Sequence, residues 1–200
     1  MKHIVFDIGR VLIHYDPELP FRRLIPDDDK RRWFLDHVCS PDWNREQDRG
    51  RDWQEAEALL IDNHPEEEHL IRAFRQNWIE MIPHAVKGSA EIVAGLKEAG
   101  HDVTMLTNFN QETFPLARER YDVLNLARGV TVSGELGLLK PDVAIYQHHA
   151  KAFALDPGQT IFFDDSQANV DGAKAAGWEA RLFTDAVQMR RDLHEAGCRF

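Results

Sequence analysis

The apolar positions of this chain fall into two rhythms. Near the N-terminus, Ile4-Val5-Phe6 form a short unbroken apolar run that ends at Asp7 and passes into Gly9. Such a run, bounded by a turn signal, predicts a buried strand. Asp7 then stands at the strand's carboxyl end, where open α/β sheets gather their chemistry. Glycine two residues later permits a tight bend and the close approach of a ligand. The same rhythm returns after Gly88. Ala90 to Ala99 has helical period and closes at Gly100. Val103 to Leu106 predicts a strand ending in Thr107-Asn108, followed by a helix near Thr113 to Glu119 and a short strand at Gly129 to Val132. Lys140-Pro141 opens a helix that turns Ala144, Ile145 and Tyr146 inward, since proline suits a first helical turn. Thr160 to Phe163 is the next strand and ends in Asp164-Asp165; a helix over Ser166 to Ala176, a strand over Trp178 to Phe183 and a C-terminal helix complete the chain. Strands alternating with helices predict a parallel sheet covered on both faces.

The second rhythm fills residues 16–83, which are polar, rich in tryptophan and helical in period. Asp27-Asp28-Asp29 marks a helix start, because carboxylates favour the positive N-terminal end of a helix. It leads into Trp33, Phe34 and His37-Val38 at helical spacing. Ser40-Pro41 reads as a break and the stretch through Gly50 as a loop, before a helix around Trp53 to Ile61. A longer helix is expected from Pro65 to Met81, with Leu70, Ile71, Phe74, Trp78 and Ile79 on one side. No strand is predicted here. The fold class is therefore α/β: a three-layer Rossmann-like parallel sheet formed by residues 1–15 and 84–200, with a helical insertion at 16–83.

Composition narrows the function. The 200 residues are 43% hydrophobic, enough for a packed core. A net charge of −10 argues against a nucleic-acid surface, which needs clustered Lys and Arg. No apolar stretch is long enough to span a membrane, and no export signal is evident. Cys39 and Cys198, far apart and in no metal-ligand spacing, read as free thiols. A cytoplasmic globular protein is the expectation.

Three strands end in polar groups: Asp7, Thr107-Asn108 and Asp164-Asp165. Lys140-Pro141 precedes a helix between the last two. Parallel strands bring all these ends to one edge. Any one of them could cap a helix or close a turn; together they suit phosphoryl transfer. A carboxylate can act as nucleophile, further carboxylates can hold Mg²⁺, and a hydroxyl and an ammonium can bind a phosphoryl group.

These segments resemble the haloacid dehalogenase superfamily of hydrolases. The matching stretches are Val5-Phe6-Asp7-Ile8-Gly9-Arg10-Val11-Leu12, Met105-Leu106-Thr107-Asn108, Leu139-Lys140-Pro141-Asp142 with Ile145-Tyr146, and Phe162 to Ala173. The helical block resembles the cap that many members insert after the first strand. The resemblance implies Asp7 as nucleophile, forming an aspartyl-phosphate that water hydrolyses. It implies Mg²⁺ held by Asp7, the main-chain carbonyl of Gly9 and Asp165, with Asp164 either a ligand through water or the residue that orients Lys140. Thr107 and the backbone at Asn108 would bind phosphoryl oxygens, Lys140 would offset charge, and Asn169 would tie the Asp165 loop. The implied substrate is a small phosphorylated metabolite.

One position departs from the family pattern. Most phosphatases of the superfamily carry a second Asp two residues after the nucleophile as general acid and base, and here Gly9 stands there. An Asp-x-Gly subgroup, resembling sugar-phosphate phosphatases such as glucose-1-phosphate phosphatase, shares this pattern. The proton for the leaving group must then come from elsewhere, with His14 or a cap residue as candidates, or the substrates be limited to good leaving groups. Arg10 could reach a second anionic group of the substrate or pair with a cap carboxylate. Trp43, Asn44 and Arg45 lie in a cap loop that could face the site, with cap–core packing the alternative for the tryptophan. His148 and His149 diverge on their helix and do not suit a metal. Two other functions remain: a 2-haloacid dehalogenase using Asp7 without metal, against which the acidic pair argues, and a non-catalytic binding protein of this fold. Oligomeric state is left open.

Overall fold

Residues 2–200 are described by a computed structural model of the chain, in which the apolar runs form a single five-stranded parallel sheet. Its strands are β1 (His3–Phe6), β2 (Asp102–Thr107), β3 (Val130–Val132), β4 (Thr160–Asp164) and β5 (Glu179–Leu182), in the order β3-β2-β1-β4-β5. This is the doubly wound order, and it reverses direction between β1 and β4. The central strand β1 pairs Phe6 with Met105 on one side and with Phe163 on the other. The Asp7 N–H donates to the Phe163 carbonyl at 2.9 Å, which carries the ladder one residue beyond the strand.

Alternation along the strands divides the core into two layers of side chains. Ile4, Phe6, Val103, Met105, Ile161 and Phe163 face one way, against α6 (Ser89–Glu98), α7 (Phe114–Arg120) and α11 (Ala186–Glu195). Val5, Leu106 and Phe162 face the other way, against α9 (Val143–Phe153) and α10 (Gln167–Ala175). Polar positions on this second face are matched. Buried His149 bridges Thr104 at 2.9 Å and Thr131 at 2.7 Å, and burial first, then nearby positive charge, pushes its pKa down to about 3. The neighbouring His148 is exposed, so the pair diverges as its adjacent spacing predicts. Ala144, expected to face inward, is exposed; Ile145 and Tyr146 take the buried side of α9.

Residues between β1 and α6 are helical among those described: α1 (Glu18–Leu24), α2 (Asp28–Trp33) running into a π-helical turn (Phe34–Val38), α3 (Pro41–Asp48), α4 (Trp53–Asn63) and α5 (Glu68–Gln76). Two sequence expectations are corrected here. Ser40-Pro41 is a helix start, not a break into a loop: Ser40 Oγ accepts the Trp43 N–H at 3.1 Å, and Pro41 occupies the first turn. The helix expected over Pro65 to Met81 is α5 with a short 3₁₀ turn on either side, ending where Asn77 Nδ2 caps the Ala73 carbonyl at 2.8 Å. The segment joins the sheet through two adjacent strands of chain, in which His14 N–H donates to His84 O at 2.9 Å and Val86 N–H to Leu12 O at 2.8 Å. Its aromatic residues Phe21, Phe34, Trp53 and Phe74 belong to the same continuous apolar cluster as Ile4 and Phe6. Among the described residues no helix is long and apolar enough to cross a membrane.

Candidate active site

Three strand ends and one loop converge at the carboxyl edge of the sheet, beside the point where the strand order reverses. Asp7 follows β1 and stands level in the register with Asp164, which closes β4, while Thr107 closes β2 one residue further along. Lys140 arrives from the loop before α9. Asn108 places this loop by a reciprocal pair: its Oδ1 accepts the Lys140 N–H at 2.8 Å and its Nδ2 donates to the Lys140 carbonyl at 3.0 Å. The Lys140–Pro141 peptide is cis. Gly172 lets α10 pack onto this loop, since a Cβ there would lie 2.3 Å from the Pro141 carbonyl oxygen.

The ammonium of Lys140 is the hub. Its Nζ lies 2.7 Å from Asp7 Oδ1 and 2.6 Å from Asp164 Oδ2, and the side chain is 1% exposed. Burial works against a charge there, but the Asp164 and Asp7 carboxylates outweigh it and hold the Lys140 pKa above its ordinary value. The other Asp164 oxygen accepts Ser166 N–H and Asn169 Nδ2, both at 2.9 Å. Asp164 therefore lies against Lys140, the second of the two positions considered for it. Asn169 reaches the loop through Asp164 and not through Asp165.

Asp7, Asp164 and Asp165 present oxygens that all lie within 4.8 Å of one another. Three carboxylates against one buried ammonium leave two negative charges, and the guanidinium of Arg10 reaches only to 3.8 Å from Asp165 while half exposed. Burial, then repulsion from Asp164 and Asp165, raises the Asp7 pKa to about 7 despite Lys140. Burial and Asp164 likewise raise Asp165. An oxygen-only donor set with excess negative charge fits a hard divalent cation such as Mg²⁺.

A cavity of about 320 Å³ opens over this edge, lined by Asp7, Gly9, Arg10, Asp165 and, from the helical segment, Leu35, Cys39, Ser40, Pro41, Asn44 and Phe74. A smaller one, about 90 Å³, continues from Gly9, Tyr15 and Asn44 towards Asp48, Asn108 and Asn110. Arg10 adopts a left-handed backbone (φ 58°) and turns towards Asp165 and the Tyr15 ring, so no cap carboxylate holds it here. Of the cap residues singled out by sequence, Asn44 lines both cavities and Arg45 is exposed. Trp43 packs edge-on against Trp53 and Phe74. His14 stacks near His84 and lines neither cavity. Cys39 and Cys198 are free thiols.

Sequence reasoning missed Asp48 and Tyr15. Both line the smaller cavity, and burial with nearby charge pushes the Asp48 pKa up to about 7 and raises that of the Tyr15 phenol. Asp48 carried no readable signal, because its stretch was expected to be a loop.

A family model described as haloacid dehalogenase-like hydrolase matches residues 1–177. The chain is similar to the sesquiterpene phosphatase astK of Aspergillus oryzae, with 34% identity over 130 residues that cover 64% of this chain. The match spans 65% of that relative's length. Among solved structures, a predicted HAD-like hydrolase from Porphyromonas gingivalis superposes with a TM-score of 0.76 at 19% identity, covering 96% of this chain and 98% of that one. A HAD-family enzyme from Bacteroides thetaiotaomicron, in complex with magnesium and inorganic phosphate, gives 0.72 at 19% identity, covering 92% and 95%.

Proposed function

Because the chain belongs to the haloacid dehalogenase-like hydrolases, and is therefore an enzyme, we propose that it is a Mg²⁺-dependent phosphatase of small phosphorylated metabolites. One observation carries this reading: the oxygens of Asp7, Asp164 and Asp165 gather within 4.8 Å of one another, a buried ammonium holds only the first two, and Asp7 and Asp165 face a cavity. A site built to displace halide from carbon has little use for two extra carboxylates beside its nucleophile, and a binding protein has no need of such a costly cluster.

Asp7 attacks phosphorus, and its Oδ–P bond forms as the bond to the leaving oxygen breaks. Lys140 fixes Asp7 in position and offsets the charge of the transferring group. Asp164, anchored by Ser166 and Asn169, holds Lys140 in place. The Thr107 hydroxyl and the main chain at Asn108 bind phosphoryl oxygens, and Arg10 reaches a further anionic group of the substrate. Asp7, the Gly9 carbonyl and Asp165 would hold Mg²⁺, which neutralises phosphoryl oxygens when bound. Residues 16–83 act as a cap over a core of 1–15 and 84–200, and the paired chain at His14–His84 and Leu12–Val86 supports that boundary.

The substrate's body is a finer question. A sugar phosphate, as the Asp-x-Gly resemblance implies, would find hydrogen-bonding groups at Arg10, Ser40 and Asn44. The remaining cap-side wall, Leu35, Cys39, Pro41 and Phe74, favours a phosphate on a more apolar body, and the sesquiterpene phosphatase relative supports that second reading. Phosphate release from p-nitrophenyl phosphate, glucose 1-phosphate and geranyl phosphate, with Mg²⁺ or EDTA, tests both. Activity that needs Mg²⁺ and drops at least about 10³-fold in Asp7→Asn is expected. Metal-independent chloride release from 2-chloropropionate, with no phosphatase activity, would overturn the proposal. Preference for geranyl over glucose phosphate decides between the two bodies.

A further inference from the structure

A phosphate ester of an alcohol leaves as a strongly basic alkoxide, so its departure needs a proton at the bridging oxygen. None of the groups assigned above supplies one: Lys140 is committed to two carboxylates, Gly9 has no side chain, and His14 lies outside both cavities. A Cβ on Gly9 would meet nothing within 4 Å, so the space beside the nucleophile is open. That space runs into the smaller cavity, whose wall carries Asp48.

Resting on the phosphatase reading, we propose that Asp48, delivered from the last turn of α3, is the acid–base residue that protonates the leaving oxygen and then activates water.

The placement of Asp48 is fixed from the core side. At the end of α3 side chains of the core bond to the carbonyls of Gln47, Asp48 and Gly50, the first of which also accepts the Gly50 N–H at 2.9 Å. Asn110 Nδ2 donates to Gln47 O at 2.8 Å, Ser133 Oγ to Asp48 O at 2.5 Å, and Gln111 Nε2 to Gly50 O at 3.4 Å. Gly50 has φ +105°, and a Cβ there would lie 2.5 Å from the Gly134 carbonyl oxygen, so the chain presses against the core at this point. Such a built-in anchor holds the Asp48 backbone to the same sheet edge as Asp7.

The carboxyl group itself has no structural employment. Among the described residues it forms no ion pair, and its only side-chain partner is Asn44 Nδ2 at a weak 3.4 Å. A carboxylate at the C-terminal end of a helix opposes the helix dipole. Burial, then the Asp7 charge, pushes its pKa up to about 7 against the help of the Asn110 backbone N–H. These costs all fall on the charged form, and the Asn110 N–H offsets only part of them. A group in this setting holds its proton near neutrality and can give it up, as an acid–base catalyst must.

As the Asp7 Oδ–P bond forms and the P–O bond to the alcohol breaks, the Asp48 proton moves to the departing oxygen. Asp48 is then a carboxylate. It accepts a proton from the water that attacks the aspartyl-phosphate, inorganic phosphate departs, and Asp7 is regenerated.

Leaving-group dependence tests this without reference to folding. Wild type and Asp48→Asn are assayed on p-nitrophenyl phosphate, whose leaving group needs no proton, and on phenethyl phosphate, whose leaving group does. Loss of about 10²–10⁴-fold in kcat/KM on phenethyl phosphate is expected, against less than about tenfold on the aryl ester in the first chemical step, read from the burst of p-nitrophenol. Asp48→Glu, which keeps a proton on a longer arm, recovers part of the alkyl activity. Equal losses on both substrates, or no loss on either, would overturn the role of Asp48 while leaving the phosphatase reading intact. Absence of phosphatase activity in the wild type overturns both.

Discussion

The two edges of one sheet treat the same residue type in opposite ways. Where the strands begin, carboxylates are neutralised. Asp102, opening β2, accepts Arg128 Nε at 2.7 Å and Nη2 at 2.8 Å, and His3 Nδ1 at 2.8 Å. The Arg128 bonds, more than they are opposed by burial, hold its pKa below the usual carboxylate range. Glu179, opening β5, is lowered in the same way by Lys2 at 2.7 Å and Arg181 at 2.8 Å. Where the strands end, Asp7 and Asp164 share one buried ammonium with Asp165 beside them, and Asp7 and Asp165 are raised. The first edge minimises electrostatic free energy; the second maintains an excess of negative charge of the kind a bound divalent cation would relieve. Such a gradient across one sheet is the mark of stability at one end and chemistry at the other.

The largest expected break in this comparison comes from removing the hub. Lys140→Met keeps the volume of the buried stem but leaves Asp7 and Asp164 without their cation. Breaking a buried pair in this way costs about 3–5 kcal/mol. Urea denaturation at pH 7.5 should show that loss, together with loss of phosphate release. The deficit should grow as pH rises from about 7 towards about 9, because without Lys140 the Asp7 pKa lies above its wild-type value of about 7, so the variant's carboxyl is increasingly ionised, unpaired and buried over that range. A variant as stable as wild type at pH 7.5 would mean that the carboxyl edge is under no electrostatic tension.

Asp48 sharpens the comparison from within the site. Its folded pKa, about 7, lies above its unfolded value of 3.8. The native state therefore binds more protons than the unfolded chain between those values, and stability falls as pH rises through that window. Asp48→Asn removes this slope. The variant should match wild type near pH 4 and exceed it by about 1–2 kcal/mol at pH 7.5, allowing for the side of Asp48 that faces the cavity. Parallel curves across pH 4–7.5 would show that Asp48 is not held in its protonated form.

How much of this was written in the sequence follows from how far each signal reaches. The strands were legible because Ile4-Val5-Phe6, Val103 to Leu106 and Thr160 to Phe163 are buried on both faces and read as continuous apolar runs. With the strands came their ends, so the structure sets Asp7, Thr107, Asp164 and Asp165 along one edge without further information. Lys140 was legible only as a Lys-Pro before a helix; its burial depends on the Asn108 clamp, a contact across 32 positions of sequence. The helical segment was legible as helical but not in its parts. Local capping decides those parts: Ser40 with Pro41 starts α3, and Asn77 stops α5. Asp48 could not be found at all. Its environment is made by Asp7, Asn110 and Ser133, residues far away in the chain that no local pattern connects to it.

The smallest effect lies at the opposite edge and carries the opposite sign. The Asp102–Arg128 pair is partly exposed, with the Arg128 side chain 48% accessible, so solvent screens it. Arg128→Ala should cost at most about 1 kcal/mol near neutrality and leave kcat/KM unchanged. Some of that cost is the lost bond from Arg128 Nη2 to the Phe153 carbonyl at 2.9 Å, at the end of α9, and does not depend on pH. The remainder does. Asp102 has a folded pKa below its unfolded value of 3.8, so its contribution is complete above that value and is lost as pH falls through the folded one. Acid denaturation curves of wild type and Arg128→Ala should therefore converge by a few tenths of a kcal/mol below about pH 4. Over the same range Asp48→Asn and wild type should run together, since Asp48 is protonated in both folded and unfolded chains there. Convergence for one variant at acid pH and divergence for the other at neutral pH would place the two kinds of carboxylate on the two edges by titration alone. Arg128→Ala curves that stay parallel to wild type down to acid unfolding would reduce the pair to a helix cap and remove half of the contrast.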